Sequence, residues 1–281
     1  MQQDQLFDLH GKVAAVTGGG GALAGALAQA LGERGVKVAV LDLDEAKASA
    51  RARSIREKGG EAQAFACSVL EEKGLQEVAS EIKGLWGGVD LLLNGAGGND
   101  PRTSTDREYL EAEDLEREDV FSFFDIKIDD FNQVFALNFT GTLVPTRVFA
   151  RGMVERKSGA IVNIASLNAV TPLTKIPAYS AAKAAVANFT RWLAVHFSHV
   201  GVRVNALVPG FFMTEQLRFL HVDQKTGEYT PRAQKVIAHT PMSRYGQPEE
   251  LVGTVIWLFS EASSFVNGQL LFVDGGILST I

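Results

Sequence analysis

Three polar side chains in the second half of the chain have the types and spacing that carbonyl chemistry needs. Tyr179 and Lys183 are four residues apart in PAYSAAKAAVANF, so on a helix they lie one turn apart on the same face. An ammonium beside a phenol lowers the pKa of the phenol, which makes Tyr179 a candidate acid or base near neutral pH. Ser166 ends the run GAIVNIAS thirteen residues before Tyr179, and its hydroxyl can hydrogen-bond a substrate carbonyl.

A glycine-rich turn near the start of the chain has the features of a phosphate-binding element. Residues 17–25 read TGGGGALAG and lie between an apolar run and a helical pattern. Glycines let the backbone approach a pyrophosphate, whose charge is stabilised by the free amides and dipole of a helix N-terminus. The order of strand, turn and helix therefore predicts a dinucleotide-binding turn.

An acidic residue follows this turn by about 20 positions, at the end of the next apolar run. Asp42, in VAVLDLD, can accept hydrogen bonds from the adenosine ribose hydroxyls and would repel a 2′-phosphate, which favours NAD over NADP. No Arg or Lys lies in the turn or directly after Asp42. The alternative role, capping the following helix, fits Asp44 better.

Short apolar runs alternate with helical-length segments along the chain and predict a parallel sheet covered by helices on both faces. The runs are 12–17, 36–41, 62–66, 89–93, 160–165, 202–207 and 269–273. The helical segments are 22–34, 45–58, 71–84, 128–156, 178–198 and 248–260. Since no linker interrupts the pattern, we expect a single α/β domain over 1–281.

Two long connections, at about 99–125 and 210–247, follow predicted strands, where ligands bind in such sheets. The second is a candidate substrate loop, and the first is either a substrate-shaping segment or a surface or oligomer contact. Residues 99–125, hereafter the insertion, hold ten acidic and three basic side chains and so have a net charge of −7. Since the whole chain has a net charge of −6, the rest of the chain has a net charge of +1. We expect the insertion to face solvent or a neighbouring subunit, with its carboxylates away from an anionic substrate.

Composition excludes several other classes of protein. An acidic balance argues against nucleic acid as a partner, and no run approaches the ~18 apolar residues of a membrane span. A single cysteine, Cys67, allows no intrachain disulfide and fits a reducing compartment, so we expect a cytoplasmic protein. His196 and His199 lack further ligands nearby in sequence, so no metal site is predicted.

Further motifs complete a pattern that is specific in its order and spacing. They are NGAG at 94–97, Asn138 in ALNFTG, PGFFMT at 209–214 and VDGG at 273–276. Together with the glycine-rich turn, Ser166 and the YxxxK pair, they make the whole chain resemble a short-chain dehydrogenase/reductase. The resemblance implies a Rossmann-like, doubly wound, seven-stranded parallel sheet in one domain, and an NAD-dependent oxidoreductase.

The resemblance also implies a role for each catalytic residue. Tyr179 would donate or accept the proton, and Lys183 would bind the nicotinamide ribose and tune Tyr179. Ser166 would orient the carbonyl, and Asn138 would hold a water that relays protons to solvent. A cofactor-sensing scaffold without turnover would not need Asn138, Ser166, Tyr179 and Lys183 together.

The cofactor contacts that the resemblance implies are spread over the carboxyl ends of the strands. They are Gly18, Gly20, Gly21, Leu23, Asp42, Ser68, Val69, Asn94, Gly95, Ala96, Tyr179, Lys183, Pro209, Gly210, Phe212 and Thr214. Ala22 and Ala24 stand where the family has glycines, and Ser68 replaces an aspartate that faces adenine.

Longer strings such as NAVTPLTKIPAYSAAKAAV are similar to the D-mannonate oxidoreductase, or fructuronate reductase, group, which implies a sugar-acid substrate. Such a substrate needs a cation and several polar groups. The predicted substrate contacts are Ser166, Asn168, Lys175, Tyr179 and Arg218. Gluconate, polyols and 3-oxoacyl thioesters are alternative substrates, and the apolar helix around Tyr179 favours a homo-oligomer, a tetramer by resemblance.

Overall fold

A seven-stranded parallel sheet forms the centre of the molecule. The structure, a computed structural model, describes residues 5–173, 175–214, 217–218 and 221–280. The strands are β1 (Val13–Thr17), β2 (Lys37–Asp42), β3 (Glu61–Ala66), β4 (Leu91–Asn94), β5 (Gly159–Ile164), β6 (Val202–Pro209) and β7 (Leu270–Val273). Their order is β3-β2-β1-β4-β5-β6-β7, and every pairing is parallel. The predicted fold class is confirmed.

The central strands are buried on both faces because successive side chains point to opposite sides of the sheet. In β1, Ala14 and Val16 pack into one apolar cluster while Val13 and Ala15 pack into the other. This is why the strands read as continuous apolar runs. All five residues of β1 are buried.

Helices cover the two faces of the sheet. They are α1 (Ala22–Gly32), α2 (Glu45–Glu57), α3 (Glu72–Trp86), α4 (Ile128–Phe135), α5 (Gly141–Arg156), α6 (Pro177–His196), α7 (Pro231–His239) and α8 (Val252–Phe259). Helices α1 and α8 pack with one cluster, and α3, α5 and α6 pack with the other. None of the described helices combines the length and apolar character of a membrane span.

Three segments differ from the sequence-based prediction. The predicted helix over 128–156 is two helices joined by a π-turn at Ala136–Thr140. Helix α7 lies inside the segment predicted as a substrate loop, where Thr230 caps it by accepting a hydrogen bond from the amide of Ala233 and Pro231 occupies its first turn. The predicted helix over 248–260 begins instead as a 3₁₀ turn, Pro248–Leu251, before α8.

Candidate active site

Helix α6 brings Tyr179 and Lys183 together as the four-residue spacing predicts. Pro177 occupies the first turn of α6, so both residues lie near its N-terminus. The Nζ atom of Lys183 lies 5.5 Å from the centroid of the Tyr179 ring and donates a 2.8 Å hydrogen bond to the carbonyl of Ile164. Because Ile164 ends β5, this bond ties α6 to the strand that leads to Ser166.

Burial controls the protonation of both groups. It raises the pKa of Tyr179, and the hydrogen bond with Ser166 acts in the opposite sense. It also lowers the pKa of Lys183 to about 8. The expectation that the ammonium lowers the pKa of Tyr179 is therefore wrong for this structure, since burial is the largest influence. A phenol with a raised pKa remains protonated at neutral pH and can therefore donate a proton.

Asn138 lies in the π-turn between α4 and α5 and is fully buried. Its Nδ2 donates to the carbonyls of Gly98 (2.7 Å) and Val134 (2.8 Å), and its Oδ1 accepts from the amide of Gly98 (3.1 Å). The side-chain amide is thus occupied by backbone. A Cβ on Gly97 would lie 2.5 Å from Oδ1 of Asn138 and 3.3 Å from Nζ of Lys183, so these two polar groups converge on one glycine.

Ser166 follows β5 and starts a short 3₁₀ turn. Its Oγ accepts a hydrogen bond from the amide of Asn168 at 3.3 Å, and Asn168 is itself buried. The structure therefore brings Ser166, Tyr179 and Lys183 together at the carboxyl end of β5. The substrate role predicted for Asn168 stays a prediction.

The NGAG segment after β4 is held from both sides. The hydroxyl of Thr17, at the end of β1, accepts hydrogen bonds from the amides of Gly95 (3.0 Å) and Ala96 (3.2 Å). The sequence-based prediction missed this role, although Thr17 opens the glycine-rich string and could have been found from it. The side chain of Asn94 is buried; its Nδ2 donates to Thr146 and Asn163, while its Oδ1 has no hydrogen-bond partner among the described residues. The predicted cofactor contact of Asn94 stays a prediction.

The glycine-rich turn fits a dinucleotide phosphate. Gly18 has φ +64°, and a Cβ there would lie 2.8 Å from the Cα of Ala96, so the turn and the NGAG segment approach each other too closely for a side chain. Among the described residues no side chain caps α1, and its first turn holds no acidic residue. Its amides are therefore left for an anion.

One of the two departures from family glycines, Ala24, is accommodated locally. Ala24 lies opposite Gly95, where a second Cβ would come within 2.6 Å of the Ala24 methyl group.

Asp42 lies beside the glycine-rich turn. Its Oδ2 accepts a hydrogen bond from the amide of Gly20 at 3.0 Å, and its Oδ1 accepts one from the amide of Asp44 at 3.0 Å. Asp44 caps α2 through Lys47 N, as predicted. The carboxylate of Asp42 thus lies directly at the turn.

Other predicted cofactor residues lie at strand ends, with different accessibility. Ser68 follows β3, and Val69 is buried, with its Cγ2 2.8 Å from the Cβ position of Gly141. Phe212 is buried with its ring against Gly246, so its side chain belongs to the core. Its predicted cofactor contact is therefore restricted to its backbone.

The segment after β6 continues from Pro209 to the predicted carboxamide contact, Thr214. Gly210 N donates to the carbonyl of Val273, which fastens the segment to β7. The hydroxyl of Thr214 accepts a hydrogen bond from the amide of Leu217 at 3.2 Å.

The predicted cationic residues differ in their surroundings. Arg218 is exposed, and Lys175 donates from Nζ to the carbonyl of Asp106 at 2.6 Å. The insertion therefore contacts the segment before α6, and its predicted orientation toward solvent or a neighbouring subunit stays a prediction. His221 is buried against Tyr245, with its Nδ1 2.7 Å from the phenol oxygen, so it is a packing residue of this loop.

Comparison with known proteins decides the family. A model of the family described as enoyl-(acyl carrier protein) reductase, within the short-chain dehydrogenases, matches residues 20–278. An oxidoreductase of Bacillus subtilis (strain 168) named UxuB, described as uncharacterized, is 46% identical over 97% of this chain and 96% of its own length. The chain belongs to the short-chain dehydrogenase/reductase family. It is therefore an NAD(P)-dependent oxidoreductase acting on CH–OH groups.

Two solved structures in this short-chain dehydrogenase/reductase family show its range. A candidate D-mannonate oxidoreductase from Haemophilus influenzae, with bound NAD, is 45% identical, with a TM-score of 0.92 over 97% of this chain and 96% of that chain. A gluconate 5-dehydrogenase from Burkholderia cenocepacia J2315, in complex with NADP and tartrate, is 31% identical, with a TM-score of 0.83 over 99% of each chain.

Proposed function

We propose that this protein interconverts a sugar-acid ketone and its alcohol with NAD(H), and that the substrate pair is D-fructuronate and D-mannonate. The observation that carries the substrate assignment is the likeness, at 45% identity over nearly the whole chain, to the candidate D-mannonate oxidoreductase with bound NAD. Lys175, Arg232 and Lys235 lie near one another around Glu108, and a sugar-acid carboxylate would need a cationic partner of this kind.

The proposed chemistry follows from the positions of the catalytic side chains. Ser166 Oγ donates to the substrate carbonyl and orients it beside Tyr179. Because its pKa is raised by burial, the phenol of Tyr179 is protonated at neutral pH and gives its proton to the ketone oxygen during reduction. Lys183 would hold the nicotinamide ribose, and its ammonium lies 5.5 Å from the centroid of the Tyr179 ring. Bound NADH supplies the hydride.

The preference for NADH rests on Asp42. Its carboxylate lies at the glycine-rich turn, bonded to the amide of Gly20, where the adenosine ribose binds in this fold. A 2′-phosphate placed there would meet a like charge. The nearby side chain of Lys47 pairs with Asp44 at 3.3 Å, so its charge is partly neutralised.

Oxidation of D-mannonate by NAD, and reduction of D-fructuronate by NADH, test the assignment directly. The panel should also contain gluconate and 5-ketogluconate, a polyol such as threitol, and acetoacetyl thioester, each with both cofactors. Gluconate is the second candidate because of the structural likeness to the gluconate 5-dehydrogenase. A kcat/KM for 5-ketogluconate above that for fructuronate would replace the proposed substrate.

A homo-oligomer, with a tetramer favoured, is part of this proposal. Helix α6 presents Ala181, Trp192 and Val195 outward, and Trp192 and Val195 are 56% and 76% exposed. Exposed large apolar side chains on one helix are typical of subunit contacts. Light scattering coupled to size-exclusion chromatography measures the mass, and a monomer would contradict the proposal. The cytoplasmic location stays a prediction.

A further inference from the structure

The insertion is fastened to two segments on either side of the catalytic helix in sequence. Before α6, Thr105 N donates to the carbonyl of Lys175 at 2.9 Å, and Lys175 Nζ donates back to the carbonyl of Asp106 at 2.6 Å. After α6, Lys235 of α7 donates to both carboxylate oxygens of Glu108 at 2.7 and 2.8 Å. The latter pair joins residues 127 positions apart in the chain.

Glu108 differs from the other acidic residues of the insertion whose ion pairs the structure shows. Asp100 pairs with Arg102, Asp114 with Arg107 and Asp119 with Arg117, all within the insertion. Glu108 instead lies among cations from outside it. Its pKa is lowered first by the hydrogen bond from Lys235 and also by the charges of Lys235, Lys175 and Arg232.

We propose that Glu108 is a specificity-determining residue, because its ion pair with Lys235 clasps the insertion to α7 and so builds the rim of the substrate site. The proposal rests on the proposed function for the identity of the substrate. With the clasp closed, the insertion also fixes the backbone and ammonium of Lys175. Lys175 and Arg232 add positive charge beside this ion pair.

The expected effect of breaking the Glu108–Lys235 ion pair depends on how far its two side chains are exposed to solvent. The side chains of Glu108 and Lys235 are 39% and 58% exposed, and such ion pairs contribute little to global stability. A bond between two separate segments can nevertheless change the fraction of molecules in which the rim is closed. We therefore expect a change in substrate KM rather than in folding or in the chemical step.

The experiment compares Glu108→Gln and Lys235→Gln with the control Asp119→Asn. The control removes one carboxylate of the insertion whose partner, Arg117, is in the insertion itself. Both clasp variants should raise KM for fructuronate about two- to fivefold, the range expected for an exposed pair, while kcat and the NADH dissociation constant stay unchanged. The control should have the KM of wild type. The double variant Glu108→Lys with Lys235→Glu reverses the two charges, so its KM should return most of the way to the wild-type value.

Hydrogen exchange supplies a readout that does not depend on the substrate. The amide of Thr105 should exchange faster in Glu108→Gln than in Asp119→Asn, because its partner is the carbonyl of Lys175. Opposite changes of KM in the two clasp variants would show that Glu108 acts through charge alone and would overturn the proposal, as would wild-type KM in both. If the panel finds another substrate, the proposed function fails and the same variants test the clasp with that substrate.

Discussion

Lys183 Nζ lies 5.5 Å from the centroid of the Tyr179 ring while it donates to the carbonyl of Ile164 at 2.8 Å. The ammonium is thus positioned by the strand that leads to Ser166, rather than by the phenol itself. A change at the end of β5 would therefore move the cation and the serine together. The reacting groups depend on the sheet for their geometry.

Replacement of Tyr179 by phenylalanine should lower kcat about 100-fold or more, because the variant lacks the proton donor. The dissociation constant of NADH, measured by fluorescence titration, should remain near that of wild type. Tyr109→Phe is the matched control, since Tyr109 is 76% exposed on the insertion. Substantial turnover by Tyr179→Phe would rule out the proposed proton donor.

Lys183→Met should change the dependence of stability on pH. Burial lowers the pKa of Lys183 from 10.5 to about 8, so between these values the unfolded chain binds more protons than the folded chain. The contribution of Lys183 to wild-type stability is therefore fully present above about 10.5 and is lost as the pH falls to about 8. The advantage of the methionine variant should shrink by about 3 kcal/mol as the pH rises through this window.

Urea unfolding of both proteins between pH 7 and pH 10.5 measures this difference. The conservative variant Lys183→Arg keeps the charge and should not show the same trend. A constant difference between wild type and Lys183→Met across the window would mean that the ammonium is not desolvated in the folded chain.

Asp42→Asn should weaken discrimination against NADPH. The amide oxygen can still accept from the backbone of Gly20, while the negative charge that repels a 2′-phosphate is removed. We expect the ratio of kcat/KM for NADPH to that for NADH to rise about tenfold, equivalent to about 1.4 kcal/mol. Asp44→Asn, which also removes one carboxylate charge but lies at the cap of α2, should leave the ratio unchanged.

Gly18→Ala should lower stability and NADH affinity together. Gly18 has φ +64°, and its new Cβ would meet the backbone of Ala96 at 2.8 Å. Gly59→Ala is the control, because Gly59 has φ +85° but no other described atom within 4 Å of the Cβ position. We expect about 1 kcal/mol of destabilisation in the control and about 1–3 kcal/mol more in Gly18→Ala, measured by urea unfolding.

The sheet could be predicted almost completely from the sequence, because its central strands are buried on both faces. β1 was predicted to end at Thr17 and does so, and the ends of the other strands agree within two residues. The pairing of Tyr179 with Lys183 was also predictable, since a four-residue spacing on a helix has one geometric consequence. Local periodicity was sufficient for these features.

Features that depend on distant contacts or on burial were not predictable in the same way. The raised pKa of Tyr179 follows from its burial, which spacing alone does not reveal. The contact of Glu108 with Lys235 joins two surface segments for which hydrophobic periodicity gives no register. Helix α7 is different, because Thr230 and Pro231 form a recognisable N-terminal signal that the sequence-based interpretation left inside a loop.

The uncapped N-terminus of α1 would couple nucleotide binding to the stability of the fold. Its first-turn amides have no side-chain acceptor among the described residues, so a bound pyrophosphate would satisfy groups that otherwise rely on water. A ligand at a hundredfold excess over its dissociation constant adds about 2.7 kcal/mol to the free energy of unfolding. Nucleotide binding would therefore lower the fraction of the unfolded chain, which is the form open to proteolysis.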